Sequence, residues 1–216
     1  MKKDKSMDAP ETTAEKIFAA ARAEFAENGY SGTHMDAIAK RAGVNKATLY
    51  YQIGDKDTLY AAVIHQILGG IAGDIGQAVA RANSPEEKLT AYILTLARAA
   101  GKNPELPSIM MREVASDGAH LPRVVMEDVA SVLTILIGII EDGKKKACFA
   151  DIGFFLVHSM IIGTLLFFEK VSPIKDRQSW LPDTVKRYDR KMKGSTGEEV
   201  AKLVLKAIRK ETGGKS

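Results

Sequence analysis

A short run of hydrogen-bonding side chains, residues 46–51 (KATLYY), has the composition of a surface that contacts a polar or charged partner. Lys46 and Thr48 can reach base edges or phosphate groups of a nucleic acid, and Tyr50 and Tyr51 carry hydroxyl groups on rigid rings. Ala47 adds little bulk, so a partner can approach closely. These residue types predict recognition by hydrogen bonds and charge.

The other residues able to do chemistry do not form a catalytic set. The four histidines, His34, His65, His120 and His158, have no metal-binding spacing, and none stands near the single Cys148 as a nucleophile partner. No HExxH, GxGxxG or P-loop motif is present. We therefore expect no enzyme, metal site or cofactor. The alternative is a helical-domain enzyme or carrier that acts on a hydrophobic small molecule.

The elements that must position residues 46–51 are predicted to be helices. Apolar residues recur at three- and four-residue steps over 13–28 and 36–42, and a third helix is expected over 46–51. Gly43 can adopt the left-handed conformation that ends the second helix, and Asn45 suits the N-cap of the third. This spacing predicts a helix-turn-helix, whose second helix enters the major groove of DNA. A small helical bundle with a solvated third helix remains the alternative.

Composition and charge limit these interpretations. The chain has 216 residues, of which 45% are apolar and 6% aromatic, as in a soluble protein with a substantial core. Its formal charge of +4 divides into +1 for residues 1–56, −4 for 57–169 and +7 for 170–216. The argument for DNA therefore rests on pattern, because the basic excess lies in the tail. A lone Cys and the lack of a visible secretory signal predict a cytoplasmic location.

Residues 17–64, IFAAARAEFAENGYSGTHMDAIAKRAGVNKATLYYQIGDKDTLYAAVI, resemble the DNA-binding domain of TetR/AcrR-type transcriptional regulators. The likeness is strong over the first sixty residues and architectural thereafter. It implies an all-α fold of about nine helices. We expect a flexible tail over 1–10, a three-helix helix-turn-helix DNA-binding domain over 11–56, and a larger helical effector-binding and dimerisation domain over 57–212.

The resemblance implies which residues contact DNA. They are Thr33, His34, Asn45, Lys46, Ala47, Thr48, Tyr50, Tyr51 and Lys56. Lys56 would reach a phosphate at the start of helix 4, where free backbone amides also favour an anion. His34 replaces the Ser or Thr that commonly contacts phosphate and caps helix 2, and it either donates to phosphate or is an exposed turn residue. Asp55 is expected to weaken the attraction for phosphate.

Beyond residue 56, longer helices are predicted. Their expected bounds are 57–81, 85–100, a helix after Pro104, 121–142, 151–171 and 198–210, with a basic connection over 172–197. Gly143 and Lys144 to Lys146 are expected to form a solvated helix end. The apolar run 153–168 is shorter than the about 20 residues of a membrane span, so we expect burial against other helices and no membrane.

The family's effector pocket lies among helices 4 to 8, which gives eight candidate ligand-binding residues. They are His65, Tyr92, Met110, Met111, Arg112, Phe154, Phe155 and His158. Met and Phe provide adaptable apolar walls, and Arg112 could meet an anionic group. Plain core packing is the alternative for each. The set predicts an apolar or amphipathic effector.

The resemblance also implies how the protein would act. We expect a homodimer through the last two long helices, bound as a repressor to a palindromic operator on double-stranded DNA. The two recognition helices would lie in major grooves about 34–36 Å apart or a multiple of that distance. A small-molecule effector would favour a spacing that does not fit the grooves.

Overall fold

The computed structural model describes residues 12–177, 180–184 and 195–210, with side chains described outside 172–177. The fold of these residues is all-α, as predicted, and comprises nine helices. They are α1 (Thr13–Gly32), α2 (Met35–Ala42), α3 (Lys46–Ile53), α4 (Lys56–Ala80), α5 (Pro85–Lys102), α6 (Leu106–Ala115), α7 (Arg123–Lys145), α8 (Phe154–Arg177) and α9 (Thr196–Ile208). The tail 1–10 and most of the connection after α8 lie outside the described residues.

The chain divides into two compact units, Met1–Val63 and Ile64–Ser216. The division falls inside α4, so the helix begins in the first unit and continues into the second. The functional domains proposed from the sequence, 11–56 and 57–212, stay a prediction.

The first unit is built around apolar faces of α1, α2, α3 and the start of α4. Ile17, Phe25, Ile38 and Leu49 are fully buried, and the rings of Phe25 and Tyr60 meet edge to face with centroids 4.7 Å apart. Burial of these side chains removes apolar surface from water, which is the main force that holds short helices together. Leu49 is the residue that fixes α3 to this core.

Two glycines define the turns of this unit. Gly29 has φ 71° and ψ 177°, so it interrupts α1 close to its predicted end before helical geometry resumes. Gly43 is left-handed (φ 69°, ψ 29°), as predicted, and the amide of Val44 donates to the carbonyl of Ala39 at 3.0 Å. Such a turn needs a residue without a Cβ because a side chain is strained at positive φ.

The second unit has a single apolar core contributed by α4 to α9. Fully buried members include Ile75, Leu89, Ile93, Leu136 and Ile161. Ser84 caps α5 through a capping box with Glu87, and Pro85 is its first residue, as the sequence indicates. The predicted helices of this unit are all present, with ends that differ by a few residues.

The predicted solvated end of helix 7 is wrong for Gly143. Helix α7 continues to Lys145, and Gly143 is buried beneath the ring of Phe149, which is itself only 2% exposed. A Cβ at Gly143 would lie 2.0 Å from Cδ2 of Phe149. The glycine is therefore required for close packing, because any side chain would overlap the ring.

The basic residues that follow Gly143 form a charged face, as predicted. Two of them, Lys144 and Lys146, form ion pairs. Lys144 contacts Glu141 at 3.2 Å and Asp151 at 3.1 Å, and Lys146 contacts Asp142 at 3.1 Å.

Helix α8 leaves much of its apolar surface uncovered. Two stretches, Lys56–Ala80 and Phe154–Val171, are long and apolar enough to cross a membrane by length and composition alone. In Phe154–Val171, however, only 17% of the residues are buried. The helices of one chain therefore cover only part of the circumference of this run, and its predicted burial against other helices stays a prediction for the rest.

Candidate nucleic-acid interface and effector cavity

Helix α3 presents a polar face outward from the first unit. Asn45 caps the helix by accepting a hydrogen bond from the amide of Thr48 at 2.7 Å, as predicted. Tyr50 and Tyr51 are 44% and 92% exposed, whereas Leu49 is fully buried. The exposed side of α3 thus carries two phenol groups that can donate and accept hydrogen bonds, as a binding surface for a polar partner requires. Lys46 and Ala47 are also exposed, and Thr48 is half-buried.

The ammonium group of Lys46 is already paired. Its Nζ lies 2.8 Å from Oδ1 of Asp36 on α2 and 6.0 Å from the centroid of the Tyr50 ring. The hydrogen bond to Asp36 raises the pKa of Lys46. Both side chains are more than half exposed, so water screens the pair and an incoming phosphate can compete for the lysine. Sequence reasoning missed Asp36, because its pairing with Lys46 depends on the angle between two helices.

The start of α4 differs from the predicted anion site. Asp55 accepts a hydrogen bond from the amide of Thr58 at 2.8 Å, so a carboxylate already caps this helix end. Hydrogen bonds from Thr58 lower the pKa of Asp55. Lys56 Nζ donates to the carbonyl of Thr33 at 3.0 Å and lies 4.3 Å from the centroid of the Tyr30 ring. Asp55 thus occupies one of the backbone amides at the start of α4, and a phosphate contact at this position stays a prediction.

Thr33 and His34 occupy different environments although they are neighbours. Thr33 is fully buried, and its hydroxyl donates to the carbonyls of Glu24 at 3.1 Å and Gly29 at 2.7 Å. Its predicted contact with DNA is corrected, because the hydroxyl instead satisfies carbonyls freed where α1 is interrupted. His34 is exposed at the N-cap of α2 and makes no side-chain capping bond. Its imidazole can therefore reach a partner.

The described surface of the first unit thus combines the exposed helix α3 with lysine side chains that already contact acceptor groups of the same chain. Arg41 also follows this pattern, since it bonds both carboxylate oxygens of Glu27 at 3.0 Å and lies 3.4 Å from Glu24. These contacts hold α2 on α1 and fix the orientation of α3 through the Gly43 turn.

Comparison with protein-family models matches residues 17–63 to the family described as bacterial regulatory proteins, tetR family. Residues 17–63 thus belong, by sequence, to the TetR family. The match contains the whole of α2 and α3 and therefore the exposed face described above. It confirms the resemblance on which the sequence analysis relies.

Individual relatives extend this result. The HTH-type transcriptional repressor SCO4008 of Streptomyces coelicolor is 44% identical over 57 residues, which cover 26% of this chain and 30% of that protein. The chain therefore aligns with less than a third of that relative. Among solved structures, FadR of Bacillus subtilis in complex with stearoyl-CoA is 22% identical with a TM-score of 0.68, over 91% of this chain and 100% of that one.

A second solved structure gives the same fold. The ketosteroid transcriptional regulator KstR2 of Mycobacterium tuberculosis is 20% identical with a TM-score of 0.71, over 94% of this chain and 98% of that one. At these identities the likeness shows a shared fold.

The second unit contains an apolar cavity of about 120 Å³. It is lined by Leu68 and Ile71 of α4, Leu96, Ala99 and Ala100 of α5, Leu106 and Met110 of α6, Val129 and Val132 of α7, and His158, Ile162, Leu165 and Leu166 of α8. Two larger clefts, of about 380 and 240 Å³, are lined partly by charged side chains. Of these three spaces among the described residues, the apolar cavity is best suited to the predicted apolar effector.

The structure places two of the eight predicted ligand residues, Met110 and His158, at this cavity. The other six lie elsewhere. Tyr92 is fully buried in the core, and Phe154 packs against the core while its ring meets that of Phe155 edge to face.

Four of these six lie at the surface. Met111 and Phe155 are 40% and 67% exposed, and Arg112 is also exposed. Nδ1 of His65 lies 2.7 Å from Oδ2 of Asp128, which joins α4 to α7 outside the cavity. The sequence did not predict the aliphatic residues that line the cavity, because their spacing does not differ from that of ordinary core residues.

His158 differs from the rest of the lining. Its Nδ1 atom is buried and has no hydrogen-bond partner among the described residues. Burial lowers the pKa of His158, because the apolar surroundings disfavour the imidazolium form.

This shift predicts a dependence of stability on pH. Below about pH 6.5, the ordinary pKa of histidine, the unfolded chain takes up a proton at His158 that the folded chain resists. The free energy of unfolding should therefore fall as pH decreases through 6.5, and this loss should be smaller in His158→Leu. Urea denaturation of both proteins between pH 5.5 and 8.5 measures the difference. If the free energy of unfolding changes equally with pH in the two proteins below pH 6.5, the prediction is contradicted. Above pH 7.5 the two dependences on pH should agree.

Proposed function

We propose that this protein is a cytoplasmic, homodimeric transcriptional repressor that binds a palindromic DNA operator and is released by a small apolar or amphipathic effector. The observation that carries the proposal is the exposed polar face of α3, held by Leu49 and contained in the residues that match the family. The relatives named above are transcriptional regulators, and they give no support to the alternative of an enzyme.

The proposal requires sequence-specific binding. The test is a selection of genomic fragments with purified protein at about 150 mM salt, where purely electrostatic binding is weakened. Recovery of one or a few palindromic sites is the expected result. Recovery of DNA without a common sequence, with affinity that vanishes at higher salt, would show that α3 does not read bases.

Tyr50 is proposed to contact DNA directly. Tyr50→Ala should lower affinity for a selected site by about ten-fold or more, because one hydrogen-bonding contact at a readout surface is worth 1–3 kcal/mol. Folding should be preserved, since Tyr50 is 44% exposed while Leu49 anchors the helix. Fluorescence anisotropy with labelled DNA measures the affinity, and circular dichroism checks the fold. Gln52→Ala, also on an exposed position of α3, is the matched control. An unchanged affinity of Tyr50→Ala would remove this contact assignment.

Asp36 is proposed to limit DNA affinity by holding Lys46. Asp36→Asn should bind DNA several-fold more tightly, and its affinity should fall more steeply with salt by about one unit of logarithmic slope, the effect of one further phosphate contact. A salt titration of wild-type and variant measures this slope. Asp117→Asn carries the same change of net charge at an exposed position in the second unit and should leave the slope unchanged. Weaker binding by Asp36→Asn would show that Asp36 positions Lys46 productively.

The uncovered apolar stripe of α8 is proposed as the dimer interface. Leu156 and Phe167 are 57% and 61% exposed, and with the exposed Gly163 they recur at steps of seven and four residues, which places them on one side of the helix. Helix α9, which packs beside α8, exposes Leu203 at 62%. A second copy of these two helices would cover both surfaces and complete a four-helix arrangement.

The effector is proposed to bind the apolar cavity among α4 to α8. Twelve of its thirteen lining residues have aliphatic side chains or the thioether of Met110, which suits a mostly apolar molecule. The stearoyl-CoA bound in the FadR structure supports the proposal, since a protein of this fold there holds an amphipathic ligand with a long apolar chain. Because α4 also carries Lys56 and the residues next to α3, a ligand that changes its packing could alter DNA binding.

A further inference from the structure

The cavity among α4 to α8 carries one feature that its apolar lining does not explain. His158 is the one lining residue, among those described, whose side chain contains nitrogen or oxygen, and its Nδ1 is buried without a partner. A buried polar atom left unsatisfied costs about 1–3 kcal/mol. A hydrogen-bonding group on a ligand would remove this cost once the ring turns to bring Nδ1 to the cavity, so the imidazole is suited to recognise one polar group.

The charge of the lining restricts what that group can be. No Lys or Arg side chain lines the cavity among the described residues, and Arg112 is exposed elsewhere. An ionised carboxylate or phosphate would therefore be buried without a counter-charge, which is strongly unfavourable. A hydroxyl or carbonyl group has no such penalty, and the imidazole can donate or accept according to its tautomer.

The volume restricts the size of the molecule. At about 120 Å³ the cavity is smaller than the about 300 Å³ or more of pockets for drug-sized ligands. It is close to the about 150 Å³ of an engineered cavity that accommodates benzene. The packed side chains of the lining thus leave room for one ring or a short branched chain.

We infer that the cavity binds a neutral molecule of about the size of one six-membered ring that carries a single hydroxyl or carbonyl group, and that this group hydrogen-bonds to the imidazole of His158. The inference rests on the proposal that this cavity is the effector site, and it names the class of effector. Selectivity comes from two sources: the small volume excludes long chains, and the lack of a cation excludes anions.

The test uses the full chain and three probes of similar ring size: phenol, toluene and benzoate. Isothermal titration calorimetry should show that phenol binds the wild-type about ten-fold more tightly than toluene, and that benzoate binds more weakly than both. In His158→Leu, phenol should lose about ten-fold in affinity while toluene is retained, because only phenol uses the imidazole. His65→Leu removes an exposed histidine outside the cavity and should change none of these affinities.

A second measurement avoids reliance on the variant. Nitrogen-15 NMR of the histidine side chains in the wild-type should show a shift of the His158 ring-nitrogen resonances on addition of phenol and a smaller one with toluene. The inference is overturned if phenol shifts no His158 resonance, if His158→Leu binds phenol as the wild-type does, if benzoate binds as well as phenol, or if stearoyl-CoA binds and the ring compounds do not.

The same samples separate this inference from the proposed function. Phenol at saturating concentration should lower affinity for the selected operator in the wild-type and have less effect in His158→Leu. If phenol binds through His158 without changing DNA affinity, the ligand class stands and the effector role fails. If no specific DNA is found, the regulator proposal fails whatever the cavity binds.

Discussion

Replacing Leu156 and Phe167 by Glu together should convert the protein to a monomer and lower its affinity for a palindromic operator by about a thousand-fold. Each glutamate would place an unpaired carboxylate in the proposed apolar interface, which costs several kcal/mol per dimer. A monomer binds only one half of the operator, so the gain in affinity of about 10² to 10⁴ that comes from binding two linked sites is lost. Analytical ultracentrifugation gives the oligomeric state, and fluorescence anisotropy gives the affinity.

The variant should fold, because both side chains are more than half exposed in one chain and the buried face of α8 is unchanged. Met126→Glu together with Val114→Glu is the matched control, since these residues are 49% and 74% exposed outside α8 and α9. The control should remain a dimer. A dimeric Leu156→Glu/Phe167→Glu variant with unchanged operator affinity would place the interface elsewhere. Binding of the wild-type to lipid vesicles, lost in the variant, would instead indicate a membrane-facing stripe.

Gly143→Ala should destabilise the second unit by about 3 kcal/mol or more, at the upper end of the cost of overpacking a core. The added Cβ would lie 2.0, 2.4 and 2.7 Å from three atoms of the Phe149 ring. That ring cannot move away freely, because it is 2% exposed within the core. At 2–4 °C for each kcal/mol in a chain of this size, the Tm should fall by about 6 to 12 °C.

Gly138→Ala in the same helix provides the control for this measurement. Gly138 is exposed, and a Cβ there would have no described atom within 4 Å. Alanine favours the helix over glycine by about 1 kcal/mol, so this variant should be slightly more stable than the wild-type. Differential scanning calorimetry of the three proteins compares them directly. A Tm of Gly143→Ala equal to that of the wild-type would show that Phe149 does not pack on α7.

Local signals in the sequence predicted most of the helices and the readout surface. These signals are the periodic apolar residues, the caps Asn45 and Ser84, and the turn at Gly43. Each affects the backbone only a few residues away, so the sequence alone predicts its effect. The outward placement of Tyr50 and Tyr51 also followed from local pattern, because Leu49 alone on that helix has to face the core.

Contacts between residues that are far apart in the sequence were not predicted. Asp55 was recognised as unfavourable for phosphate, but its role as the cap of α4 was not. The partners of Lys46 and Lys56 were not expected, since Asp36 and Thr33 meet them only once the helices pack. Gly143 was predicted to end a helix, because a glycine followed by lysines is typical of a helix end. Its packing against Phe149 is visible only in the tertiary structure.

The sequence by itself thus determined the resemblance of residues 17–64 to the TetR family, the helical fold and the position of α3. The helices and their positions depend on local propensity and hydrophobic period, which the sequence carries directly. Only the tertiary structure decided which cations are already paired, which apolar face of α8 is uncovered, and which aliphatic residues line the cavity beside His158. Those features depend on the distances between helices, and a core position and a cavity wall have the same residue types and the same period.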